Sequence, residues 1–127
     1  MITVISGTNR TGSLTAQVAA FVAEAYADLG AEVGVLDLAE LPLETLSPDA
    51  YVEKPARVLE FIDQILASSG LVVIVPEYNG SMPGVLKLFI DMLPFPESFE
   101  DRPVSYVGLA AGQFGGLLPH REIIAFH

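Results

Sequence analysis

The sequence contains no cysteine and few cationic residues. Only six of its 127 residues are Lys or Arg, against sixteen Asp or Glu, which gives a net charge of −10 at pH 7. The absence of cysteine excludes disulfide bonds, thiolate metal ligands and a thiol nucleophile. The shortage of cations leaves no basic footprint for a nucleic acid and no polybasic patch for an anionic membrane. We therefore expect neither nucleic acid nor a membrane among the partners.

Long hydrophobic runs are also missing. The longest aliphatic run, Leu71 to Val75, is far shorter than the roughly 20 residues of a transmembrane helix. The first residues, Met1 to Ile5, lack the cationic region and cleavage site of a signal peptide. Together with the lack of cysteine, these features favour a cytoplasmic protein. With 51% hydrophobic residues, the chain is expected to form one domain over residues 1–127.

Hydrophobic periodicity predicts alternating strands and helices. Short aliphatic runs indicate strands, and apolar residues spaced three or four apart indicate helices. The predicted strands cover residues 2–5, 32–38, 71–75 and 104–111, and the predicted helices begin near Ser13, Pro55, Pro83 and Gly116. Residues 39–54 are expected to form a surface connection. This alternation is typical of an α/β fold whose parallel sheet is covered on both faces.

The first predicted strand is followed by a loop of small and hydroxyl-bearing residues. It reads "GTNRTGS" over residues 7–13 and contains Arg10, the only Lys or Arg in the first 53 residues. The carboxyl ends of parallel strands and the N-termini of the following helices favour anions, because free N–H groups are presented there. We therefore expect Arg10 to bind an anion. An ordinary turn with Ser13 or Thr11 as the helix N-cap is the alternative.

Two common nucleotide-binding motifs do not fit this loop. Gly7 and Gly12 match the outer glycines of G-x-x-x-x-G-K-[ST], but Ser13 and Leu14 replace the Lys and Ser/Thr, which argues against nucleoside triphosphate hydrolysis. The G-x-G-x-x-G fingerprint is absent, which argues against a Rossmann dehydrogenase. Tight binding of NAD without flavin would revive that alternative.

A second polar loop follows the third predicted strand. It reads "PEYNGSMPGVLK" over residues 76–87. Asn79-Gly80 predicts a turn, and the ring of Tyr78 is available for stacking. If the strand order reverses between strands one and three, this loop lies beside the first one. The alternative is a Gly/Pro turn before a helix that starts at a proline.

Together the loops resemble the motifs of the NADPH-dependent FMN reductase family of flavodoxin-like flavoproteins. Residues 7–13 resemble its G-S-x-R-x-x-S phosphate loop, with Thr8 in place of the usual Ser, and residues 76–91 resemble its second signature. Residues 112–116, "GQFGG", are similar to its glycine-rich turn after strand four. The resemblance covers residues 2 to about 121. It implies a doubly wound parallel sheet of order 2-1-3-4-5, with FMN at the switch between strands one and three.

The resemblance also implies the residues of an FMN site. Thr8, Arg10, Ser13 and Thr15 would hold the phosphate, and residues 76–79 would border the isoalloxazine ring. The full set expected to bind the cofactor is Thr8, Arg10, Ser13, Leu14, Thr15, Pro76, Glu77, Tyr78, Asn79, Gly80, Gly112, Gln113 and Gly115. No catalytic side chain is expected, because the flavin carries the chemistry. No metal ligand is expected either.

The function implied by the resemblance is an FMN-dependent oxidoreductase. NADPH or NADH would reduce bound FMN, and a small-molecule acceptor such as free flavin, a quinone, an azo dye or a metal oxyanion would then take the electrons. The family's usual assembly implies a homodimer or homotetramer. The alternative is an FMN-binding module or electron carrier without NAD(P)H turnover. Arg10 and the Pro-Glu-Tyr-Asn motif favour the reductase.

The end of the sequence departs from the family pattern. A family member would complete the helix after Gly116 and then add a fifth strand and a last helix, whereas this sequence ends at His127. We therefore expect the fifth strand and the last helix to be missing, and strand four to form an exposed sheet edge. His120 and His127 have no third ligand spaced for a metal site.

Overall fold

The computed structural model describes residues 1–124, without the side chains of residues 120 and 122–124. Its strands are β1 (Ile2–Ser6), β2 (Val33–Asp37), β3 (Gly70–Pro76) and β4 (Val104–Leu109). Its helices are α1 (Leu14–Asp28), α2 (Ala56–Leu66), α3 (Gly84–Met92) and α4 (Leu117–Ile124). The strands form one parallel sheet of order β2-β1-β3-β4. The predicted α/β class and the predicted order of these four strands are confirmed.

Helices cover both faces of the two central strands. On one face the sheet packs against Phe61 and Ile65 of α2 and against Leu86 and Phe89 of α3. The rings of Phe61 and Phe89 meet edge to face, with their centroids 6.0 Å apart. On the other face, Ala19 of α1 packs against residues of β1 and β3. Because both faces of β1 and β3 are buried, neither strand alternates between apolar and polar exposed residues. β3 is a continuous apolar run from Leu71 to Val75, and in β1 the hydroxyl of the buried Thr3 is hydrogen-bonded to that of Ser68 at 2.7 Å.

The connection between β2 and α2 is more ordered than the sequence suggested. Residues 39–54, expected as a plain surface connection, contain most of three short 3₁₀ turns at Leu38–Glu40, Leu43–Leu46 and Pro48–Tyr51. Asp37 and Ser47 accept hydrogen bonds from backbone N–H groups two residues later, at 3.1 and 3.3 Å. Such local side-chain bonds stabilise tight turns where no longer helix forms.

The last strand, β4, lies at the edge of the sheet. Within the described part of the chain it pairs with β3 alone, and most of its residues are half-buried rather than buried. It ends at Leu109, two residues before the predicted end at Ala111. The helix predicted after Gly116 is present as α4. Among residues 1–124, no helix has the length and apolar character that crossing a membrane requires.

The order of the strands determines where the loops diverge. The chain leaves β1 towards β2 on one side of the sheet and leaves β3 towards β4 on the other. The carboxyl ends of β1 and β3 stay together, because Ser6 pairs with Ile74 and the Gly7 N–H donates to the Ile74 carbonyl at 2.9 Å. A crevice therefore opens between the two loops at this switch point.

Candidate functional site

An open cleft of about 600 Å³ lies at the carboxyl ends of β1, β3 and β4. This volume is within the range of cofactor and substrate sites. The cleft is formed by the loop after β1, the first turn of α1, the end of β3 with its following loop, and the end of β4 with its following loop. The lining residues are Arg10, Ser13, Leu14, Thr15, Pro76, Glu77, Tyr78, Gly108, Leu109, Ala110, Ala111 and Gly115.

Most residues expected at the site from the sequence lie in this cleft. Eight of the thirteen line it, and they come from all three predicted loops. The others are Thr8, Asn79, Gly80, Gly112 and Gln113. Thr8 is a buried residue of the first loop, and Asn79 and Gly80 form the tip of the turn after β3. Gly112 and Gln113 are exposed in the loop after β4.

The start of α1 presents hydrogen-bond donors to the cleft. Ser13 is the N-cap, and its hydroxyl accepts from the Ala16 N–H at 3.0 Å. A hydroxyl that accepts one bond still has its own proton to donate. The N–H groups of Leu14 and Thr15 belong to the first turn, where a helix offers no internal partner. Ser13, one of the two residues named in the alternative interpretation as the N-cap, does cap the helix, and its hydroxyl remains able to donate to an anion.

Arg10 lies over the ring of Tyr78, which connects the first and second loops. The guanidinium carbon of Arg10 is 4.6 Å from the centroid of the Tyr78 ring. The hydroxyls of Tyr78 and Thr8 are hydrogen-bonded at 2.7 Å, although the two residues are 70 positions apart. No carboxylate of the described residues forms an ion pair with Arg10. Its planar set of donors can therefore face a ligand.

The loop after β3 begins with a tight turn. Tyr78 and Ser81 exchange two backbone hydrogen bonds of 2.9 and 3.1 Å. Between them Asn79 and Gly80 have φ angles of +52° and +77°, the combination of a type I′ turn, for which Asn-Gly is the preferred pair. The predicted turn is therefore confirmed. It holds Tyr78 at the end of β3, next to the first loop.

The glycine-rich turn after β4 folds back onto the strand. A Cβ atom added to Gly116 would lie 2.8 Å from the Cα of Gly108, and one added to Gly108 would lie 2.9 Å from the Gly116 carbonyl oxygen. Only hydrogen fits at either position, since real Cβ atoms do not approach backbone so closely. The turn thereby brings Gly115 to the cleft wall.

The sequence did not identify the cleft residues at the end of β4 and immediately after it. Gly108, Leu109, Ala110 and Ala111 line the cleft, but Ala110 and Ala111 were assigned to the strand itself. The rule that selected the other two loops, position at the carboxyl end of a parallel strand, also applies here. Three of the four residues are small, so this wall is mostly backbone.

The cleft combines groups for an anion with groups for a planar apolar ligand. Arg10, Ser13 and the start of α1 offer a cation and hydrogen-bond donors, whereas Pro76, Leu109 and the alanines offer apolar surface. No cluster of acidic or histidine side chains that could hold a metal ion occurs in the described part of the chain. His127 and the side chain of His120 lie outside that part.

Comparison with known proteins gives the same family as the motifs. The model of the NADPH-dependent FMN reductase family matches residues 1–125. An NAD(P)H-dependent FMN reductase of Pseudomonas aeruginosa is 36% identical over 116 residues, which are 87% of this chain and 60% of that protein. A 2-hydroxy-1,4-benzoquinone reductase of a Burkholderia species is 34% identical over 118 residues, 90% of this chain and 62% of that protein. The chain thus spans about 60% of the length of these relatives.

A solved structure extends the likeness to three dimensions. FerB, a flavoenzyme NAD(P)H:(acceptor) oxidoreductase from Paracoccus denitrificans, superimposes with a TM-score of 0.77 at 29% sequence identity. The superposition covers 96% of this chain and 67% of that one. The sheet order, the cleft at its switch point and the match to the family model agree, and the chain belongs to the NADPH-dependent FMN reductase family.

Proposed function

We propose that this chain binds FMN in the cleft and uses it to transfer hydride from NADPH or NADH to a small-molecule acceptor, such as a flavin or a quinone. Family membership and relatives named as FMN, quinone and azo reductases support this proposal. The observation that carries it is the position of Arg10, a guanidinium without an ion-pair partner among the described residues, beside the start of α1.

The donors at the first loop fit a phosphate group. Arg10 supplies a charge and a planar set of N–H groups, and Ser13 has a hydroxyl proton to donate. The backbone N–H groups of Leu14 and Thr15 add donors at the positive end of the helix dipole. We propose that these residues bind the FMN phosphate.

The second and third loops fit the flavin ring. Pro76 and Glu77 lie on one wall of the cleft, and Gly115 lies on another. We propose that they border the ring together with Asn79, Gly80, Gly112 and Gln113. Bound FMN would supply the hydride-accepting ring, while the chain orients it and leaves one side open for donor and acceptor. No acid or base from the chain is required for that role.

The proposal includes the setting in which the chain works. We propose one FMN-binding domain in the cytoplasm, where nicotinamide donors are available, and a homodimer or homotetramer. Exposed apolar side chains at Leu14 and Phe114, which are 65% and 72% exposed, support an assembly that covers them. Light scattering with size-exclusion chromatography, with and without FMN, measures the assembly directly.

A flavin titration followed by anaerobic reduction tests the function. We expect FMN fluorescence to be quenched with saturation when the chain is added, and the flavin absorbance to bleach when NADPH or NADH follows. Saturation without bleaching would instead favour an electron carrier or a binding module. Failure to bind FMN would contradict the proposal itself.

A substitution tests the assignment of the phosphate site. We expect Arg10→Ala to weaken FMN binding by roughly ten- to a hundredfold, because a charge-assisted hydrogen bond is lost. Riboflavin, which has no phosphate, should bind equally well to both proteins. Arg57→Ala is the matched control, since it removes the same charge from α2, outside the residues that line the cleft. Equal losses for FMN and riboflavin would argue against a phosphate site at Arg10.

A further inference from the structure

We infer that Tyr78 and Thr8 act as positioning residues for Arg10 and are not themselves contacts of the ligand. The inference rests on the proposed function, in which Arg10 binds the FMN phosphate, and it assigns new roles within that site. The family resemblance implies instead that Tyr78 borders the flavin ring and that Thr8 helps to hold the phosphate. In the structure the Thr8 side chain is buried, and the Tyr78 side chain, although it lines the cleft, contacts Arg10 and Thr8.

Tyr78 has both its ring and its hydroxyl engaged within the protein. The ring supports the guanidinium of Arg10 at 4.6 Å, and the hydroxyl is bonded to Thr8 at 2.7 Å. A cation over the face of a tyrosine ring is attracted by the electron density of that face. The contact restricts the Arg10 side chain before a ligand arrives. Less side-chain entropy is therefore lost when Arg10 binds the ligand.

The buried side chain of Thr8 stabilises the contact between Arg10 and Tyr78. The residue is fully buried, with 0% of its surface exposed, so its hydroxyl does not reach the cleft. That hydroxyl bonds to Tyr78, and the backbone N–H of Arg10 approaches the same oxygen at 3.4 Å. One buried oxygen therefore links the backbone at Arg10 to the tyrosine that carries the Arg10 side chain.

Arg10 differs from other described cations in the groups that its side chain contacts. Arg57 and Lys87 form ion pairs with nearby carboxylates. Arg102 donates to backbone carbonyls. An ion pair would occupy the donors that an anionic ligand needs, whereas an aromatic ring supports the guanidinium and leaves its N–H edge available. Support by Tyr78 is thus compatible with phosphate binding.

The first test observes the contact in the chain without ligand. In an NMR spectrum the Arg10 side-chain protons should be shifted upfield by the ring current of Tyr78, and Tyr78→Leu should remove that shift. Arg57, which lies 4.5 Å over the Phe61 ring, is an internal control whose shift should persist in the variant. Unshifted Arg10 protons in the wild-type chain would overturn the inference.

The second test compares the binding of FMN and of riboflavin. Tyr78→Leu should weaken FMN about two- to fivefold, the size of an exposed cation–π contact, and leave riboflavin unchanged. In the Arg10→Ala background the same substitution should have no further effect on FMN, because the residue it positions is gone. Equal weakening of FMN and riboflavin would mean that Tyr78 contacts the ring directly, and would overturn the inference.

Variants of Thr8 keep the test decisive if Tyr78→Leu fails to fold. Thr8→Val removes the hydroxyl and should weaken the binding of FMN but not that of riboflavin. Thr8→Ser keeps a hydroxyl and should therefore retain most of the wild-type affinity for FMN. If Thr8→Val left the ratio of FMN affinity to riboflavin affinity unchanged, the role of Thr8 would be overturned. If the wild-type chain binds no FMN, the proposed function fails. The inference is then still decided by two NMR observations: the ring-current shift of the Arg10 side-chain protons, and the change of those signals when inorganic phosphate is added.

Discussion

At the scale of single residues, the turn after β3 depends on two positive φ angles. Gly80 has φ +77°, a conformation that costs an L-residue with a Cβ roughly 1–2 kcal/mol. A Cβ added there would lie 3.6 Å from Leu118 Cδ1, an ordinary contact, so the cost of substitution comes from the backbone. We expect Gly80→Ala to lower the free energy of unfolding by about 1 kcal/mol in urea denaturation.

A second glycine provides the control for that measurement. Gly84 is the first residue of α3, and a Cβ added there meets nothing within 4 Å. Because alanine has the higher helix propensity, Gly84→Ala should leave the free energy of unfolding unchanged or raise it by up to about 1 kcal/mol. Similar losses of unfolding free energy in Gly80→Ala and Gly84→Ala would mean that the positive φ angle of Gly80 does not cause the destabilisation.

Tyr106 gives the stability of the chain a dependence on alkaline pH. Tyr106 lies in β4 and packs against the core formed with α2 and α3. Burial there raises the pKa of its phenol from 10.0 to about 12, because the charged phenolate is poorly solvated. The folded state therefore holds the proton more tightly than the unfolded state. The contribution to stability is complete below pH 10 and is lost as the pH rises towards 12.

The size of this effect can be measured with a single substitution. Each pKa unit corresponds to about 1.4 kcal/mol, and since the residue is only half-buried we discount the expected loss to about 1 kcal/mol. Denaturation curves between pH 9 and 11.5 should show a smaller decline for Tyr106→Phe than for the wild type. Tyr51→Phe, which alters an exposed residue, should leave the decline as it is.

The sequence predicted the chemical types at the site better than their contacts. Arg10 and Tyr78 were identified from short motifs, because a lone cation and a strand-end aromatic stand out in a sequence. Their contact, and the burial of Thr8, depend on two loops that are about 70 residues apart in the chain. Such contacts follow from the pairing of β1 with β3, and no local pattern encodes them.

At the scale of elements, Arg102 fastens the connection between α3 and β4 to the end of α2. Its guanidinium donates to the carbonyl oxygens of Leu66 and Ser68, at 3.2 and 2.9 Å, and to those of Glu97 and Ser98. The first two carbonyls lie at or just after the C-terminus of α2, where a helix leaves its carbonyls without internal partners and favours a cation.

Removing this side chain should therefore cost more than removing a surface ion pair. We expect Arg102→Ala to lower the free energy of unfolding by about 2 kcal/mol, since hydrogen bonds to a charged group are lost. Arg102→Lys should recover only part, because an ammonium group cannot reproduce the spread of a guanidinium. Arg57→Ala, which breaks exposed ion pairs, should cost less than about 1 kcal/mol. Equal losses at the two arginines would contradict the role of Arg102.

The elements themselves were predictable where the pattern is local. Apolar runs located β1 and β3, and the spacing of apolar residues located α1, α2 and α3. The 3₁₀ turns between β2 and α2 were missed, because a single turn is too short to give a period. The end of β4 was placed two residues late, because Ala110 and Ala111 continue the apolar run after the pairing with β3 has stopped.

At the scale of the whole molecule, the charge of the chain opposes the charge of its proposed cofactor. The net charge is −10 at pH 7, and the phosphate of FMN is also negative. Arg10 attracts that phosphate at short range, whereas the overall charge repels it at long range. The two effects can be separated because salt screens the distant one more strongly, with a Debye length of about 30 Å at 0.01 M and about 8 Å at 0.15 M.

The rate of FMN association should therefore rise with ionic strength. We expect a severalfold increase in the association rate constant between 0.01 and 0.15 M salt, measured by stopped-flow fluorescence, because screening weakens the long-range repulsion. The dissociation rate constant should rise as well, because the contact with Arg10 is partly exposed and is weakened by the same ions. Riboflavin, which is uncharged, should show neither change. An association rate that falls with salt would mean that the local field of Arg10 and α1 dominates the approach of the ligand over the charge of the whole chain.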